Sequence, residues 1–211
     1  MFRDREDAAR QLAIPLQQRT LRNPLVLAIP RGGVVTGAVL ARELHADLDV
    51  VLSRKLRAPD QPELAIGAIA EDGEIYPNPY ARELDLSDVY LEEEKQRQMA
   101  EIARRQKLFR NVLPAALVTG RSVILTDDGI ATGSTMIAAL HIVKGQQPHE
   151  VIVAVPVAPP DRLQEIRQLC DDLICLMAPN YFMAVGQFYE SFLQVEDDQV
   201  VTILKDFAPT K

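Results

Sequence analysis

The chain has 211 residues, of which 47% are hydrophobic and 25% are charged, enough for one domain to bury a sizeable core. A formal net charge of −7 disfavours nonspecific attraction to nucleic acid or to an anionic membrane surface. No apolar run approaches the roughly 20 residues of a membrane span, and the charged N-terminus, residues 1–7, lacks the order of a signal peptide. We therefore expect one cytoplasmic domain over residues 1–211, with no nucleic-acid or membrane partner.

Strand and helix patterns alternate along the chain, which predicts an α/β fold with a doubly wound, mainly parallel central sheet and flanking helices. A helix over 4–22, disturbed at Pro15, comes first. Strands are predicted near 25–29, 48–54, 123–127, 151–155 and 173–177. Helices are predicted near 34–45, 133–144 and 160–169. These elements divide the chain into a core (22–57 and 119–177), an insertion (58–118) and a C-terminal hood (178–211).

The insertion is the least regular part of the pattern. Residues 64–70 alternate weakly and reach a turn at 71–73, which indicates a strand pair lying against the core. A long helix is predicted over 87–111, with an apolar stripe of Leu91, Met99, Ile102 and Phe109. Its basic residues are Arg97, Arg104, Arg105, Lys107 and Arg110. A solvated face is the simplest interpretation of these charges, and contact of one of them with a phosphate or a partner subunit is the alternative.

The most informative segment runs from 123 to 135. A short apolar strand ends there in two adjacent carboxylates, Asp127 and Asp128. Open α/β sheets place ligand sites at the carboxyl ends of their strands. Two neighbouring carboxylates can accept hydrogen bonds from the vicinal hydroxyls of a ribose and stabilise developing positive charge.

Small and hydroxyl-bearing residues follow the acidic pair: Ala131, Thr132, Gly133, Ser134 and Thr135. They precede the apolar pattern of a helix, and a helix N-terminus with free N–H groups binds phosphate. A nucleotide-hydrolysing P-loop is excluded because the residue before Ser134 is Gly133 rather than lysine. The alternative is an ordinary strand, turn and helix with Ser and Thr as caps.

A second candidate anion site follows the first core strand. Pro30, Arg31, Gly32 and Gly33 form a tight turn before the next predicted helix. The unhindered N–H groups of Gly32 and Gly33 and the guanidinium of Arg31 suit a diphosphate. A plain turn is the alternative.

Positive charge also ends the strand predicted near 48–54, at Arg54 and Lys55, ahead of a loop over 58–62. Basic loops can neutralise a leaving group and exclude water when they close over phosphates. A solvated strand end is the alternative.

The strand, acidic pair and Thr/Gly/Ser loop of 123–135 resemble the phosphoribosyl-pyrophosphate motif of type I phosphoribosyltransferases, and the chain resembles stand-alone bacterial proteins of that type. The resemblance implies transfer of a phosphoribosyl group from phosphoribosyl pyrophosphate, with Mg²⁺ held mainly by substrate oxygens and water. It implies catalytic roles for Asp127, Asp128 and Lys55, with the two carboxylates as the candidate protein ligands of Mg²⁺. The resemblance further implies that pyrophosphate is bound by Arg31, Gly32, Gly33 and Arg54. Binding of the 5′-phosphate falls to Ala131, Thr132, Gly133, Ser134 and Thr135.

The hood resembles that of purine-type enzymes in its order of Pro, two residues, Phe and Val-Gly, which implies that Phe182 stacks on a base. Tyr189 and Phe192 are expected to anchor the loop to the core. Ala131 stands where 6-oxopurine enzymes carry an Asp as general base, and the strand ending at Val157 lacks their purine-contacting Lys. Hypoxanthine and guanine are therefore disfavoured as acceptors.

The acceptor predicted by this resemblance is an unidentified small molecule of the nucleobase type. The alternative is a non-catalytic sensor or regulator that binds phosphoribosyl pyrophosphate or a nucleotide. We also expect a homodimer. The three histidines show no metal-ligand spacing, and Cys170 and Cys175 are expected to be buried free thiols.

Overall fold

The computed structural model of the protein describes residues 1–59, 65–77 and 87–208. Its strands are β1 (Leu25–Ala28), β2 (Asp47–Val50), β3 (Ser53–Arg57), β4 (Ala65–Ala70), β5 (Ile75–Pro77), β6 (Ser122–Thr126), β7 (Glu150–Val157) and β8 (Asp172–Met177). Its helices are α1 (Arg5–Gln17), α2 (Gly32–Leu44), α3 (Asp88–Arg110), α4 (Ser134–Gly145), α5 (Pro160–Arg167) and α6 (Asp197–Lys205). Most of the loop predicted over 58–62, the start of the strand predicted at 64 and the last three residues of the predicted hood lie outside the described residues.

Five parallel strands form the central sheet, in the order β2-β1-β6-β7-β8. Leu25 in β1 lies beside Asp47 in β2 on one side and beside Val123 in β6 on the other. Every residue of β1 and β6 is buried, as expected for strands covered on both faces. The predicted mainly parallel α/β fold is therefore confirmed.

Alternate residues of the central strands enter two separate cores, because successive side chains of a strand point to opposite faces. Val26 and Ile124 pack on the side of α1 and α2, together with Leu12 and Leu40. Leu27, Leu125 and Val153 pack on the other side with residues of α4 and α5. Helices on both faces make the sheet doubly wound.

The strand predicted near 48–54 is wrong in its extent. β2 ends at Val50, and β3 starts at Ser53 in a separate antiparallel sheet with the order β3-β4-β5. Arg54 and Lys55 are only half-buried in β3 and Arg57 is exposed, whereas a strand in the central sheet would bury their charges on both faces. The predicted strand pair of the insertion is thus part of a three-stranded sheet.

α1 is shorter than the helix predicted over 4–22. The carboxylate of Asp4 caps it by accepting a hydrogen bond from the Asp7 N–H at 2.8 Å. Pro15 lies inside the helix, which ends at Gln17, after the last residue of its buried face, Leu16. The exposed polar residues that follow offer no apolar surface to hold a further turn against α2.

α3 is the 23-residue helix of the insertion, and its buried residues are Glu94, Gln98, Ile102 and Phe109. Within the predicted apolar stripe, Ile102 and Phe109 are buried and Leu91 and Met99 are half-buried. The Glu94 carboxylate accepts hydrogen bonds from the Gln98 side chain at 2.9 Å and from the Arg57 N–H at 3.1 Å. These polar bonds connect α3 with β3. Neither α3 nor any other helix within 1–59, 65–77 and 87–208 has the length and apolarity needed to cross a bilayer.

One basic residue of α3 contradicts the solvated-face interpretation. The Arg110 side chain is only 16% exposed. It donates to the Asp49 carboxylate at 2.5 Å, to the Glu71 carboxylate at 2.9 Å and to the Val50 carbonyl at 3.1 Å. Arg110 therefore forms a structural ion pair that fastens the insertion to β2.

The two cysteines are free thiols, but the prediction that they are buried is wrong in degree. Cys170 and Cys175 are both half-buried, since they lie at the sheet edge strand β8 and just before it. Burial still raises the pKa of both thiols.

Candidate active site

Asp127 and Asp128 lie at the carboxyl end of the central sheet, directly after β6 ends at Thr126. The Asp127 Oδ1 accepts a hydrogen bond from the Asp128 N–H at 2.8 Å. Burial raises the pKa of the Asp127 carboxyl well above its ordinary value, and the neighbouring Asp128 charge raises it further. Both effects make the Asp127 carboxyl resist ionisation.

Asp128 is held by Arg5, which stands at the start of α1. Arg5 Nε donates to Asp128 Oδ2 at 2.7 Å, and the two side chains are 10% and 13% exposed. Arg5 Nη1 donates to the Leu193 carbonyl at 2.7 Å, and its guanidinium lies 3.8 Å from the Phe192 ring centroid. This nearly buried cation ties Asp128 to both α1 and the hood.

Tyr189 fixes the backbone of the same residue. Its hydroxyl donates to the Asp128 carbonyl at 2.6 Å, and the residue is 6% exposed. Burial raises the pKa of the Tyr189 hydroxyl, and the nearby Asp128 charge adds to this. The ring of Tyr189 contacts that of Phe192, with centroids 5.0 Å apart. The prediction that Tyr189 anchors the hood to the core is confirmed.

The predicted phosphate loop forms the N-terminus of α4. Gly133 caps the helix with a φ of 80°, in the left-handed region that favours glycine, and gives no side-chain cap bond. The first helical hydrogen bond runs from the Ile137 N–H to the Gly133 carbonyl at 2.9 Å. The N–H groups of the three residues between them point out of the helix end. Thr132 and Thr135 are exposed and Ser134 is half-buried, so their hydroxyls can reach a ligand.

The predicted pyrophosphate turn packs directly against the acidic pair. α2 begins at Gly32, two residues earlier than predicted, so Gly32 and Gly33 lie in its first turn. A Cβ on Gly32 would meet Asp128 Oδ2 at 1.9 Å, and one on Gly33 would meet the Asp127 Cα at 2.8 Å. Only glycine fits this approach. The peptide between Pro30 and Arg31 is cis.

Ionic and polar contacts reach Arg31 and Arg54 from outside the central sheet. Arg31 Nη1 donates to the Glu196 carboxylate, which precedes α6, at 2.8 Å. Arg54 Nε donates to the Gln98 Oε1 of α3 at 3.1 Å. Lys55 follows Arg54 in β3 and pairs with Ala68 of β4. The structure brings Gly32 and Gly33 against the carboxylates and places Arg54 and Lys55 on the neighbouring antiparallel sheet.

Phe182 is half-buried in the hood. Its ring centroid lies 5.1 Å from that of Phe188, which is buried, so part of Phe182 packs against the hood itself. Its neighbours Tyr181 and Met183 are 73% and 75% exposed. A flat ring could therefore contact only part of Phe182, beside two exposed side chains that contribute apolar surface.

Arg5 is the residue of this site that motif reasoning misses, because it lies 123 positions before Asp128 and in no motif. The sequence does carry a signal for it. The buried face of α1 includes Arg5 together with Ala8, Ala9, Leu12 and Leu16. An arginine in line with an apolar stripe indicates a buried charge that needs a partner.

The acidic pair, the glycine turn and the N-terminus of α4 follow strands of the same parallel sheet, in the chain order that the sequence resemblance implies. The chain belongs to this family: residues 3–190 match the family described as the phosphoribosyl transferase domain. The resemblance stated from the sequence is confirmed.

Among solved structures, the chain is similar to TT1426 from Thermus thermophilus, with 44% identity, a TM-score of 0.91 and coverage of 99% of both chains. It is also 40% identical, over 99% of its length, to proteins of two Mycobacterium tuberculosis strains, each named "Putative phosphoribosyl transferase". The match covers 48% of each of those proteins, so the chain spans about half the length of the curated relatives.

Proposed function

We propose that the chain is a phosphoribosyltransferase that binds phosphoribosyl pyrophosphate with Mg²⁺, transfers its phosphoribosyl group to a small acceptor of the nucleobase type and releases pyrophosphate. One observation carries this proposal. Gly32 and Gly33 pack so closely on Asp127 and Asp128 that a diphosphate on the turn and a ribose on the carboxylates would be neighbours. The donor substrate has its diphosphate and its ribose joined in this way.

The N-terminus of α4 supplies the third contact. The free N–H groups after Gly133 and the hydroxyls of Thr132, Ser134 and Thr135 would hold the 5′-phosphate. Arg31, Gly32 and Gly33, with Arg54 and Lys55, would hold the diphosphate.

In the displacement, the bond between the anomeric carbon and the diphosphate oxygen breaks, and its electron pair leaves with pyrophosphate. A lone pair on the acceptor forms the new bond. The anomeric carbon gains positive character in between, and Asp128, held in place by Arg5, would stabilise it. Asp127 would accept a hydrogen bond from a ribose hydroxyl through Oδ2, the oxygen to which the Asp128 N–H does not donate.

Magnesium fits this donor set in a limited way. Asp128 Oδ2 is bonded to Arg5 and Asp127 Oδ1 to the Asp128 N–H, which leaves one oxygen of each carboxylate for other ligands. In residues 1–59, 65–77 and 87–208 no three metal-binding side chains cluster. A single available oxygen on each carboxylate suits an ion held mainly by substrate oxygens and water, which Mg²⁺ prefers. When bound, it would neutralise charge on the departing diphosphate.

The acceptor must supply a reactive nucleophile, because Ala131 can take no proton and Val157 offers no cation. Phe182 would stack on a ring but discriminate little between rings. We therefore expect hypoxanthine and guanine to be poor acceptors. The lack of a base at Ala131 and of a cation at Val157 also motivates the second candidate function, a sensor that binds the donor without turnover.

We also propose that the core (22–57 and 119–177), the insertion (58–118) and the hood (178–211) act as one domain. In support, Tyr189 of the hood donates to Asp128 of the core, and Arg104 of the insertion pairs with Asp197 of the hood at 2.8 Å. The homodimer and the cytoplasmic location stay predictions, and light scattering tests the first.

The deciding experiment mixes the protein with phosphoribosyl pyrophosphate, Mg²⁺ and a panel of bases and follows pyrophosphate release. Base-dependent release that is lost in the Asp127→Asn/Asp128→Asn double variant supports transfer, and Asp161→Asn, an exposed carboxylate, is the matched control. Calorimetric binding of the donor with no release for any base would favour the sensor. Absence of both binding and release would reject the whole proposal.

A further inference from the structure

Arg105 lies on the inward face of α3. It follows Ile102 by three residues and Gln98 by seven, and helix geometry places residues at these spacings on one face. Gln98 is 6% exposed and Ile102 is 2% exposed. Arg105 itself is half-buried. Its side chain therefore leaves the helix toward the rest of the protein, unlike its exposed neighbours Arg104 and Lys107.

Contacts of its neighbours bring β3 and α6 to this face. Gln98, two turns earlier on α3, accepts a hydrogen bond from Arg54 at 3.1 Å. Arg104, the preceding residue, donates to Asp197 of α6 at 2.8 Å.

The residue before Asp197 is Glu196, which pairs with Arg31 of the pyrophosphate turn at 2.8 Å. Arg104, the residue before Arg105, thus connects the insertion helix to the segment that pairs with the pyrophosphate turn.

One donor of the Arg105 guanidinium has no partner in the described part of the chain. Its Nε is buried and has no hydrogen-bond acceptor among the described residues. Burial lowers the pKa of Arg105, and the charges of Arg54, Arg104 and Arg31 lower it further, while Asp197 alone opposes them. Three neighbouring cations and a buried unpaired donor form a surrounding that an anion with several oxygens would complete.

We propose that Arg105 is a further binding residue for the diphosphate of the donor substrate, so that the insertion supplies a cation that the sheet core does not. This inference rests on the proposed function. The diphosphate is favoured over the 5′-phosphate because the contacts of this helix face lead to Arg54 of β3 and, through Asp197 and Glu196, to Arg31 of the pyrophosphate turn. A planar guanidinium can also bind two oxygens of one phosphate at once.

A purely structural pairing with Asp197 is the competing explanation. Asp197 Oδ1 is also buried and without a partner among the described residues. If Arg105 served only to neutralise this carboxylate, its loss would lower stability and leave anion affinity unchanged. The two explanations therefore differ in what they predict for ligand binding.

The test measures calorimetric affinity for inorganic pyrophosphate with Mg²⁺, and for ribose 5-phosphate, in the wild type, Arg105→Gln, Arg105→Lys and Lys107→Gln. Lys107→Gln removes the same charge from an exposed position of α3. We expect Arg105→Gln to weaken pyrophosphate binding at least tenfold, with ribose 5-phosphate binding within twofold of wild type. Arg105→Lys should lose less, and Lys107→Gln should change neither affinity by more than twofold.

A second measurement needs no variant. Butanedione modifies accessible arginines, and mass spectrometry follows the peptide that carries Arg105 in the wild-type protein. Mg²⁺-pyrophosphate should slow this modification at least fivefold, and ribose 5-phosphate should not.

Two negative results are distinguishable. Arg105→Gln with wild-type pyrophosphate affinity, or Arg105 left unprotected by bound pyrophosphate, overturns the role of Arg105 and leaves the proposed function intact. A wild-type protein that binds neither pyrophosphate nor phosphoribosyl pyrophosphate overturns both.

Discussion

Arg5 and Asp128 form a nearly buried ion pair, with 2.7 Å between Nε and Oδ2, although they lie 123 residues apart in sequence. The pair joins the first turn of α1 to the carboxyl edge of the central sheet. Arg5 also donates to the Leu193 carbonyl and lies on the Phe192 ring. Removing either charge would leave the other in a site with little access to water. Loss of the pair should therefore lower the free energy of unfolding measurably.

Arg5→Gln should lower the free energy of unfolding by about 2–3 kcal/mol. This is somewhat less than a fully buried pair costs, because both side chains keep some exposure. Urea denaturation measures the change. Arg3→Gln is the matched control, since Arg3 is a 73% exposed arginine paired with Asp7, and it should cost under about 0.5 kcal/mol. Equal effects of the two variants would contradict the assignment.

Asp127→Asn and Asp128→Asn should change stability in opposite directions at pH 8. The raised pKa of Asp127 means that the folded state binds its proton more tightly than the unfolded chain does. The free energy of unfolding therefore falls as pH rises from about 3.9 through the raised pKa, and the penalty is complete above it. Asp127→Asn removes this penalty and should stabilise the protein.

Asp128→Asn removes the partner of Arg5 and should destabilise the protein by about 2–3 kcal/mol. Denaturation of both variants at pH 5 and pH 8 measures the signs. The stabilising effect of Asp127→Asn should shrink at the lower pH. Destabilisation by Asp127→Asn at pH 8 would show that Asp127 is favoured in its charged form.

Thr135→Val removes an exposed hydroxyl from the first turn of α4 and keeps the β-branched shape. Stability should change by less than about 0.5 kcal/mol, because the side chain packs against little. Affinity for ribose 5-phosphate should fall by about 1–2 kcal/mol, the scale of a hydrogen bond to a charged group. Calorimetry measures it, with the exposed Thr20→Val as control. An unchanged affinity would remove Thr135 from the phosphate site.

Glu196→Gln should release Arg31 from its ion pair and tighten the binding of Mg²⁺-pyrophosphate by about two- to fivefold. The pair is partly exposed, at 31% and 52%, so its contribution to stability is at most about 1 kcal/mol. Glu190→Gln removes an equal charge from another exposed hood position and should leave the affinity unchanged. Weaker binding in Glu196→Gln would mean that Glu196 positions Arg31 for the ligand.

Local patterns predict much of this fold. The apolar runs at β1, β6 and β7 have no strong competing interpretation, and the position of the acidic pair directly after β6 follows from them. Gly32 and Gly33 in the first turn of α2 and Gly133 before α4 mark the two helix starts that we propose as anion sites. In each case, the residues that determine the local structure lie within about a dozen positions of one another in the sequence.

The remainder depends on contacts between distant parts of the chain. In the sequence, Arg110 looks like one more charge on a solvated helix face. Its burial depends on ion pairs with Asp49 and Glu71, which lie far from it in the chain. Arg5 likewise acquires its role only from Asp128. The break between β2 and β3 occurs because Arg54 and Lys55 belong to a strand of the antiparallel sheet, where their side chains stay half-buried. No local periodicity contains these partners.

The approach of Gly32 to Asp128 also limits how this protein could change over generations. A methyl group at position 32 would overlap the carboxylate oxygen that Arg5 holds. Any larger residue there needs a compensating change at 128, and a shorter side chain at 128 would in turn leave Arg5 without its carboxylate partner. Positions 5, 32 and 128, in three separate segments of the chain, must therefore vary together, and a single substitution at any of them is expected to be selected against.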